Sequence, residues 1–419
     1  MKQTLLDQIA SKHNLLNAWG KLNKLNKSSH GLSGETIRTF SDNIEDKISS
    51  ISKKLLSGKY YFSKTRAVAI PKSNGKVRPL QVPEVSDRLV IKSIAIELEN
   101  IFTPLLKTSS GISFAYQKNT GIRDAIERIK EIHNAGNNYV LEADIIDFYG
   151  SVNKDSLLKL QILPQLPDDS INDLIMSSLS QEVGGLELIK KEDRKYFENL
   201  NSGIPQGNAL SPLFSNIYLS PFDLEMSAKG YALVRYADDF VVLCDNQDKC
   251  QQSYIDCQVI LKKLNLEIHP IDDKTKTKII NLSGEYFTFL SITYDGKQFY
   301  PSRENVDRLK SKIRDICNGK IQYTVLSLLE KIYNVFDGWV SAYFYTSIDR
   351  YKKEIDYYLS RQLYLALRKF NWRFTKTAIG KVPRNFRNKG ESGDCLSTAQ
   401  RKNSGIPLLM ELVRSKRGE

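Results

Sequence analysis

Three aspartates have the types and spacing to do chemistry. Asp144 follows an apolar strand-like run, Tyr139–Ala143, and Asp238-Asp239 interrupt two β-rich runs, Tyr231–Tyr236 and Phe240–Cys244. The second pattern reads as a hairpin with its carboxylates at the turn. A buried, unpaired carboxylate costs several kcal/mol, so three acids meeting from adjacent strands need cations between them. Two divalent ions about 3.5–4 Å apart meet that need, and such a pair can activate a 3′-hydroxyl and neutralise a departing pyrophosphate. Oxygen-only ligands favour Mg²⁺, with Mn²⁺ as a substitute, over zinc. Asp-Asp is also an ordinary turn pair, and an aromatic-x-Asp-Asp tetrad arises by chance in roughly one chain in ten of this size. The tetrad therefore takes its meaning from its companions.

Those companions lie on elements that the sequence outlines. Residues 1–60 read as a helical extension, with Ile37, Phe40, Ile44, Ile48, Ile51 and Leu55 at helical intervals between Thr36 and Leu56. From Arg66 the pattern changes to two short strands, RAVAIP and KVRPLQVP, joined by Ser73-Asn74-Gly75. Helices are predicted around Asp87–Phe102 and Gly121–His133, and residues 155–200 read as helix and loop. After Tyr300, apolar residues at spacings of three and four (Val306, Leu309, Ile313, Ile316) open a set of three helices that continues through Leu326–Phe344 and Ile355–Leu367. A polar basic tail starts at Arg373. The division expected is an extension at 1–60, a body at 61–300, a helical module at 301–372 and a tail at 373–419.

The 419 residues are 41% hydrophobic and 26% charged, enough for two or three packed domains and too apolar for a disordered chain. The net charge of +13 is unevenly placed: residues 301–419 carry 24 basic and 12 acidic side chains, the first 300 carry 37 and 36. A cationic last third suggests a polyanionic partner, nucleic acid above all, with a solvated basic face or an acidic membrane surface as alternatives. No run of about 18 apolar residues occurs, so neither a spanning helix nor a signal peptide is expected and no membrane partner is assigned. Five cysteines without CxxC spacing and four isolated histidines argue against a disulfide framework or a zinc site, and a reducing cytoplasm is the default location.

Six ordered motifs give the aspartates their context. Tyr236-Ala237-Asp238-Asp239 resembles the signature tetrad of reverse transcriptases, and SGIPQGNALSP (202–212) resembles the loop and helix that precede it in that family. LEADIIDFYGSV (141–152) resembles the first catalytic strand, and IPKSNGKVRPLQVPEVSDRLV (70–90) the fingers hairpin of bacterial, group II intron-like members. Lys276-Thr277-Lys278-Ile279 resembles the lysine motif and Phe289-Leu290-Ser291-Ile292 the primer-grip turn, with Ser291 where glycine is usual. FYPSRENVDRLKSKI and GWVSAYF are similar to the thumb of intron-encoded enzymes. The likeness spans about residues 30–370 and implies an α+β right-hand polymerase: fingers, a palm of antiparallel sheet plus helices, and a helical thumb.

The resemblance also implies roles. Asp144, Asp238 and Asp239, with Ile145 beside them, become the ligands of two Mg²⁺ ions. Lys72 and Arg78 grip the triphosphate of an incoming dNTP, or form a plain solvated hairpin. Tyr149, five residues after Asp144, blocks a ribose 2′-hydroxyl, or is a core tyrosine. Gln206 and Gly207 line the nucleotide, or simply start a helix. Lys276 is the candidate proton donor to pyrophosphate, with Lys274 and Lys278 as rivals and a solvated lysine face as the plain reading. Tyr323, Tyr333, Trp339, Tyr343, Phe344 and Tyr345 fall at helical spacing and are read as core ahead of base-stacking platforms.

Beyond Trp372 there is one cysteine and no histidine, so no endonuclease, RNase H domain or full splicing-assistance region is expected. What remains resembles the free-standing bacterial reverse transcriptases of antiphage defence systems, and this implies a structured noncoding RNA template, a DNA product or primer and dNTPs. Two rivals remain: a trimmed group II intron-encoded protein bound to its intron RNA, and an RNA-binding module without synthesis.

Overall fold

The computed structural model describes residues 3–71, 75, 77–198, 200, 202–272, 275, 277–319, 324–370 and 395–419. Two compact units divide the chain, Met1–Ile279 and Ile280–Glu419.

In the first unit the N-terminal helices Leu5–Ala10 and Lys12–Lys21 start on Thr4 and Ser11, whose side chains accept from Asp7 N and Asn14 N. The helical pattern read from Thr36 to Leu56 is broken into Ile37–Ser41 and Ile44–Leu56. Ser41-Asp42-Asn43 supply the break, because short polar side chains compete with the helical backbone. Leu5, Ile9, Leu15, Ile48 and Leu55 share one core with Leu89, Val90, Ile94 and Leu98 of the helix Val85–Ile101. Polar stitches lock this seam: Ser52 Oγ donates to Ala10 O at 2.6 Å and Ser93 Oγ to Ile9 O at 2.8 Å. The extension is thus built into the body of its unit.

Strands β1 (Thr65–Pro71) and β2 (Val77–Val82) pair antiparallel from Arg66↔Val82 to Pro71↔Val77. Pro79 is tolerated because β2 is an edge of the sheet. The other edge is β4 (Val183–Gly184), a two-residue strand parallel to β1, too short to register as a pattern in the sequence.

The second sheet has the order β5-β6-β3-β7. Its members are β3 (Tyr139–Asp144), β5 (Ala232–Tyr236), β6 (Asp239–Cys244) and β7 (Lys278–Asn281). Phe240 to Cys244 are all buried, which explains an apolar run without alternation: helices Ile122–Asn134 and Gln247–Lys263 both pack on this central strand.

In the second unit β8 (Phe287–Phe289), β9 (Ile292–Tyr294) and β10 (Phe299–Pro301) form an antiparallel meander. It joins the helices Arg303–Asn318, Val325–Tyr343 and Lys352–Arg368 through Ser347 N donating to Phe299 O and Tyr351 Oη to Pro301 O. The unit therefore opens at Ile280, ahead of the 300/301 division expected from the change to helical spacing. Trp339 and Tyr343 are buried among these helices, whereas Tyr333, Phe344 and Tyr345 are partly exposed and Tyr323 lies outside the described residues.

Part of the segment read as a tail is folded. Residues 395–419 include the helices Thr398–Asn403 and Leu409–Arg417. Arg401, fully buried, donates to the Asp356 carboxylate at 2.8 Å and to Pro407 O at 2.6 Å, and Leu409, Leu412 and Val413 are buried with it. A basic residue that works as an internal clip looks, in a sequence, like one more solvated charge. Among the described residues no helix is long and apolar enough to cross a membrane.

Candidate active site

Asp144 is the last residue of β3 and stands directly opposite Asp239, the first of β6. Asp239 is also paired with Tyr236 across the β5–β6 hairpin, so Ala237 and Asp238 are the whole loop. Ala237 takes a φ of +59°, as the first central residue of a type II′ turn does, and glycine would hold that conformation without the Cβ clash. Ile145 N donates to Asp238 O at 3.4 Å, tying the end of β3 to the turn tip. The backbone thus sets Asp144, Asp238 and Asp239, all half-buried, at adjoining strand ends.

Side chains directly opposite on antiparallel strands share a face, and like charges there repel. A carboxylate pair so placed, with Asp238 next to it and oxygen as the sole donor type, suits a hard divalent cation. Ile145 can contribute only its main-chain carbonyl. The side chains are not drawn into a finished cage: among the described residues no three His, Cys, Asp or Glu groups are gathered closely enough to hold an ion.

The aromatic side of the site lies just beyond β3. Asp147, in the left-handed region at φ +41°, turns the chain into the short helix Phe148–Ser151 that carries Tyr149. Tyr149 Oη lies 3.4 Å from Tyr116 Oη. Burial raises the Tyr116 hydroxyl pKa, the Tyr149 hydroxyl raises it further, and the Asp238 carboxylate and Arg78 guanidinium act on it with smaller, opposite effects. Tyr236 is raised as well, by burial and then by Tyr116. Tyr116 thus touches Tyr149 and lies within electrostatic reach of Tyr236, Asp238 and Arg78. Sequence reasoning passed over it, although an aromatic at the end of the Ser113–Tyr116 segment was its one signal.

The loop 202–210 is fitted by close backbone approach. A Cβ on Gly203 would lie 2.0 Å from Tyr149 O, and one on Gly207, at φ +114°, 2.3 Å from Gln81 O. Gln206 O accepts from Gln81 N at 2.8 Å and Tyr149 O from Ile204 N at 2.9 Å, so the loop links β2 to the Tyr149 helix. Asn208 Nδ2 donates to Ser178 O and Ser211 Oγ to Pro205 O, ordering the start of the helix Ser211–Ala228. Gln206 is half-buried and Gly207 exposed.

Arg78 is exposed on β2, paired with Ile70. Lys72 and Lys276 lie outside the described residues, as does Lys274. Lys278, the remaining rival, is on β7 with its ammonium 3.6 Å from Glu142 of β3. Glu142 sits two residues before Asp144, hence on the same face of the strand.

A buried polar network behind the turn also escaped the sequence reading. Arg235 is fully buried on β5 and meets Asp223 through two bonds, at 2.7 and 2.5 Å. Its signal was a charge inside the apolar strand Ala232–Tyr236, since arginine is rarely fully buried without a partner. A separate cavity of about 710 Å³ is lined by Lys24, Lys27, Ser28, Thr36, Ile37, Arg38, Ser41 and Asp42. None of the aspartate-bearing strands contributes to it.

Comparison with known proteins agrees with these motifs. The chain is 27% identical over 269 residues to Protein YkfC of Escherichia coli (strain K12), covering 54% of this chain and 66% of that protein. It is 32% identical over 197 residues to the group II intron-encoded protein LtrA of Lactococcus lactis subsp. cremoris, covering 47% and 30%. The chain thus spans just under two thirds of the first relative's length and less than a third of the second's. Among solved structures, a partial Cas6-RT-Cas1--Cas2 complex is 26% identical with a TM-score of 0.36, covering 62% of this chain and 42% of that one. The family profile described as reverse transcriptase (RNA-dependent DNA polymerase) matches residues 70–295, more than half of the chain. With that match laid over the β3–β5–β6 aspartates and the loop 202–210, the α+β right-hand fold is accounted for, and the chain belongs to the reverse transcriptase family.

Proposed function

We propose that this protein is an RNA-directed DNA polymerase that copies a cognate structured noncoding RNA into DNA, in bacterial antiphage defence. The observation that carries the polymerase reading is the register Asp144↔Asp239 with Asp238 in the adjoining two-residue turn. Asp144, Asp238, Asp239 and the Ile145 carbonyl hold two Mg²⁺ ions, for which Mn²⁺ can substitute. When bound, such a pair lowers the pKa of a 3′-hydroxyl and neutralises charge on the departing pyrophosphate.

The chain's own residues supply the rest. Lys72, together with Arg78 of β2, holds the triphosphate of a dNTP by charge-assisted hydrogen bonds. The Tyr149 ring fills the space a ribose 2′-hydroxyl would need. Gln206 and Gly207 let the base pair approach the loop's backbone, and Lys276 is the proton donor to pyrophosphate. Residues 61–300 act as fingers and palm and 301–372 as thumb. The thumb's positive charge grips phosphates without reading sequence. The Lys24, Lys27 and Arg38 cavity offers the same kind of contact to folded RNA.

Sequencing the nucleic acid that copurifies with the protein tests the template. A discrete structured RNA encoded beside the gene supports the reading, and its absence refutes it. In cells challenged with phage, alanine at Asp238 and Asp239 should abolish both DNA synthesis and protection; protection that survives assigns the protein to RNA binding alone. The identity to LtrA favours a second reading, a group II intron-encoded protein that binds its intron RNA. Recovery of an intron RNA in the same experiment selects it.

A further inference from the structure

Ala237 holds a φ of +59° that an alanine rarely adopts, and such a conformation persists only where its surroundings over-determine it. The neighbour that does so is Arg235. Its Nε and Nη2 fork onto Asp223 at 2.7 and 2.5 Å, and its Nη1 donates to Asn216 Oδ1 at 3.2 Å and to Ala237 O at 3.0 Å. Arg235 and Asp223 are fully buried and Asn216 nearly so. Asp223 and Asn216 are seven residues apart on the helix Ser211–Ala228, two turns on one face, so one helix supplies both acceptors.

The same network reaches the aromatic side of the site. Asn216 Nδ2 donates to Ala115 O at 2.8 Å, Arg235 N to Ile112 O at 2.7 Å, and Phe114 N to Arg235 O at 3.0 Å. The segment that ends in Tyr116 is thereby held by Asn216 and the Arg235 main chain, and the turn that carries Asp238 by the Arg235 guanidinium.

We propose that Arg235 is a positioning residue: held by Asp223 and Asn216, it clamps the Ala237 carbonyl and so sets where the Asp238 carboxylate points. This deepens the polymerase reading and rests on it. A planar fork is needed, because lysine keeps the charge but cannot bind Asp223 through two bonds while also reaching Ala237.

Hydrogen exchange on the substrate-free full chain, together with primer-extension kinetics, tests the clamp. In Arg235→Lys, exchange at the Ala237, Asp238, Asp239 and Ile145 amides should rise about tenfold or more, with the interior of β3 and β6 within about threefold of wild type. The same variant should lower kcat about tenfold or more with the dNTP KM within about twofold. Asn216→Ala, which removes the weaker acceptor, should raise exchange at the same amides about threefold. Unchanged exchange at the turn in a folded variant overturns the proposal. So does a rise spread over the whole sheet, or loss of folding in both variants, since each assigns the network to stability alone. A wild-type protein that extends no primer refutes the polymerase reading instead, and leaves the exchange result standing.

Discussion

Tyr149 is placed by the Asp147 turn five residues past Asp144, with its hydroxyl beside that of Tyr116. If its ring excludes the ribose 2′-hydroxyl, Tyr149→Ala should lower discrimination against ribonucleotides about tenfold or more, read as the ratio of kcat/KM for dNTP and NTP. An unchanged ratio moves that role elsewhere. At this scale the sequence was legible where a residue type announced its chemistry. The three acids stand at the strand ends where the pattern put them, and the close approaches at Gly203 and Gly207 give those glycines a steric reason. It was not legible for Tyr116 or Arg235, whose meaning comes from neighbours more than 30 residues away, Tyr149, and from a helix face, Asp223 and Asn216. Single-chain spacing carries no trace of such meetings.

Among the elements, one turn and one helix start carry testable energetics. The β8–β9 hairpin turns on Leu290 at φ +53° and Ser291 at φ +66°, two left-handed residues in a row, as a type I′ turn requires. Glycine holds such a conformation without the Cβ clash, so Ser291→Gly should stabilise the second unit by up to about 1 kcal/mol, read from denaturant melts. Asp87, in the first turn of the helix Val85–Ile101, is 1% exposed and accepts from Tyr60 Oη at 2.7 Å, Ser63 N at 3.0 Å and Gln181 Nε2 at 3.2 Å. Burial outweighs these bonds and pushes its pKa from 3.8 up to about 6. The folded state therefore favours the protonated acid: the stabilisation is present below pH 3.8 and is lost as pH rises through about 6. The melting temperature of the wild type minus that of Asp87→Asn should fall across that window, and a flat difference contradicts it. Strand pairs with alternation or tight turns were readable in advance. The two-residue β4 and the early start of the second unit were not, because each is decided by tertiary partners, and the short polar break at Asp42-Asn43 leaves the apolar spacing around it unchanged.

For the whole molecule, the charge division of the sequence is the property that matters most. The first 300 residues are nearly neutral and the rest strongly cationic. Binding of RNA through phosphates should weaken at least about a hundredfold between about 50 and 200 mM salt, by counterion release. A salt-independent Kd would refute phosphate-led binding. Some of that charge is spent internally, as the buried Arg401 and the Lys416–Asp337 pair at 2.8 Å show, so the slope reports fewer contacts than the count of basic residues suggests. On the proposed function, Asp144, Asp238 and Asp239 act together to extend a DNA end. This is tested most directly by primer extension on an RNA template with dNTPs and Mg²⁺, comparing the purified wild type with Asp238→Asn, a nearly isosteric change that removes one charge. Steady extension by the wild type and a loss of about a thousandfold or more in the variant are expected; a variant that extends at the wild-type rate rules out the three-aspartate centre.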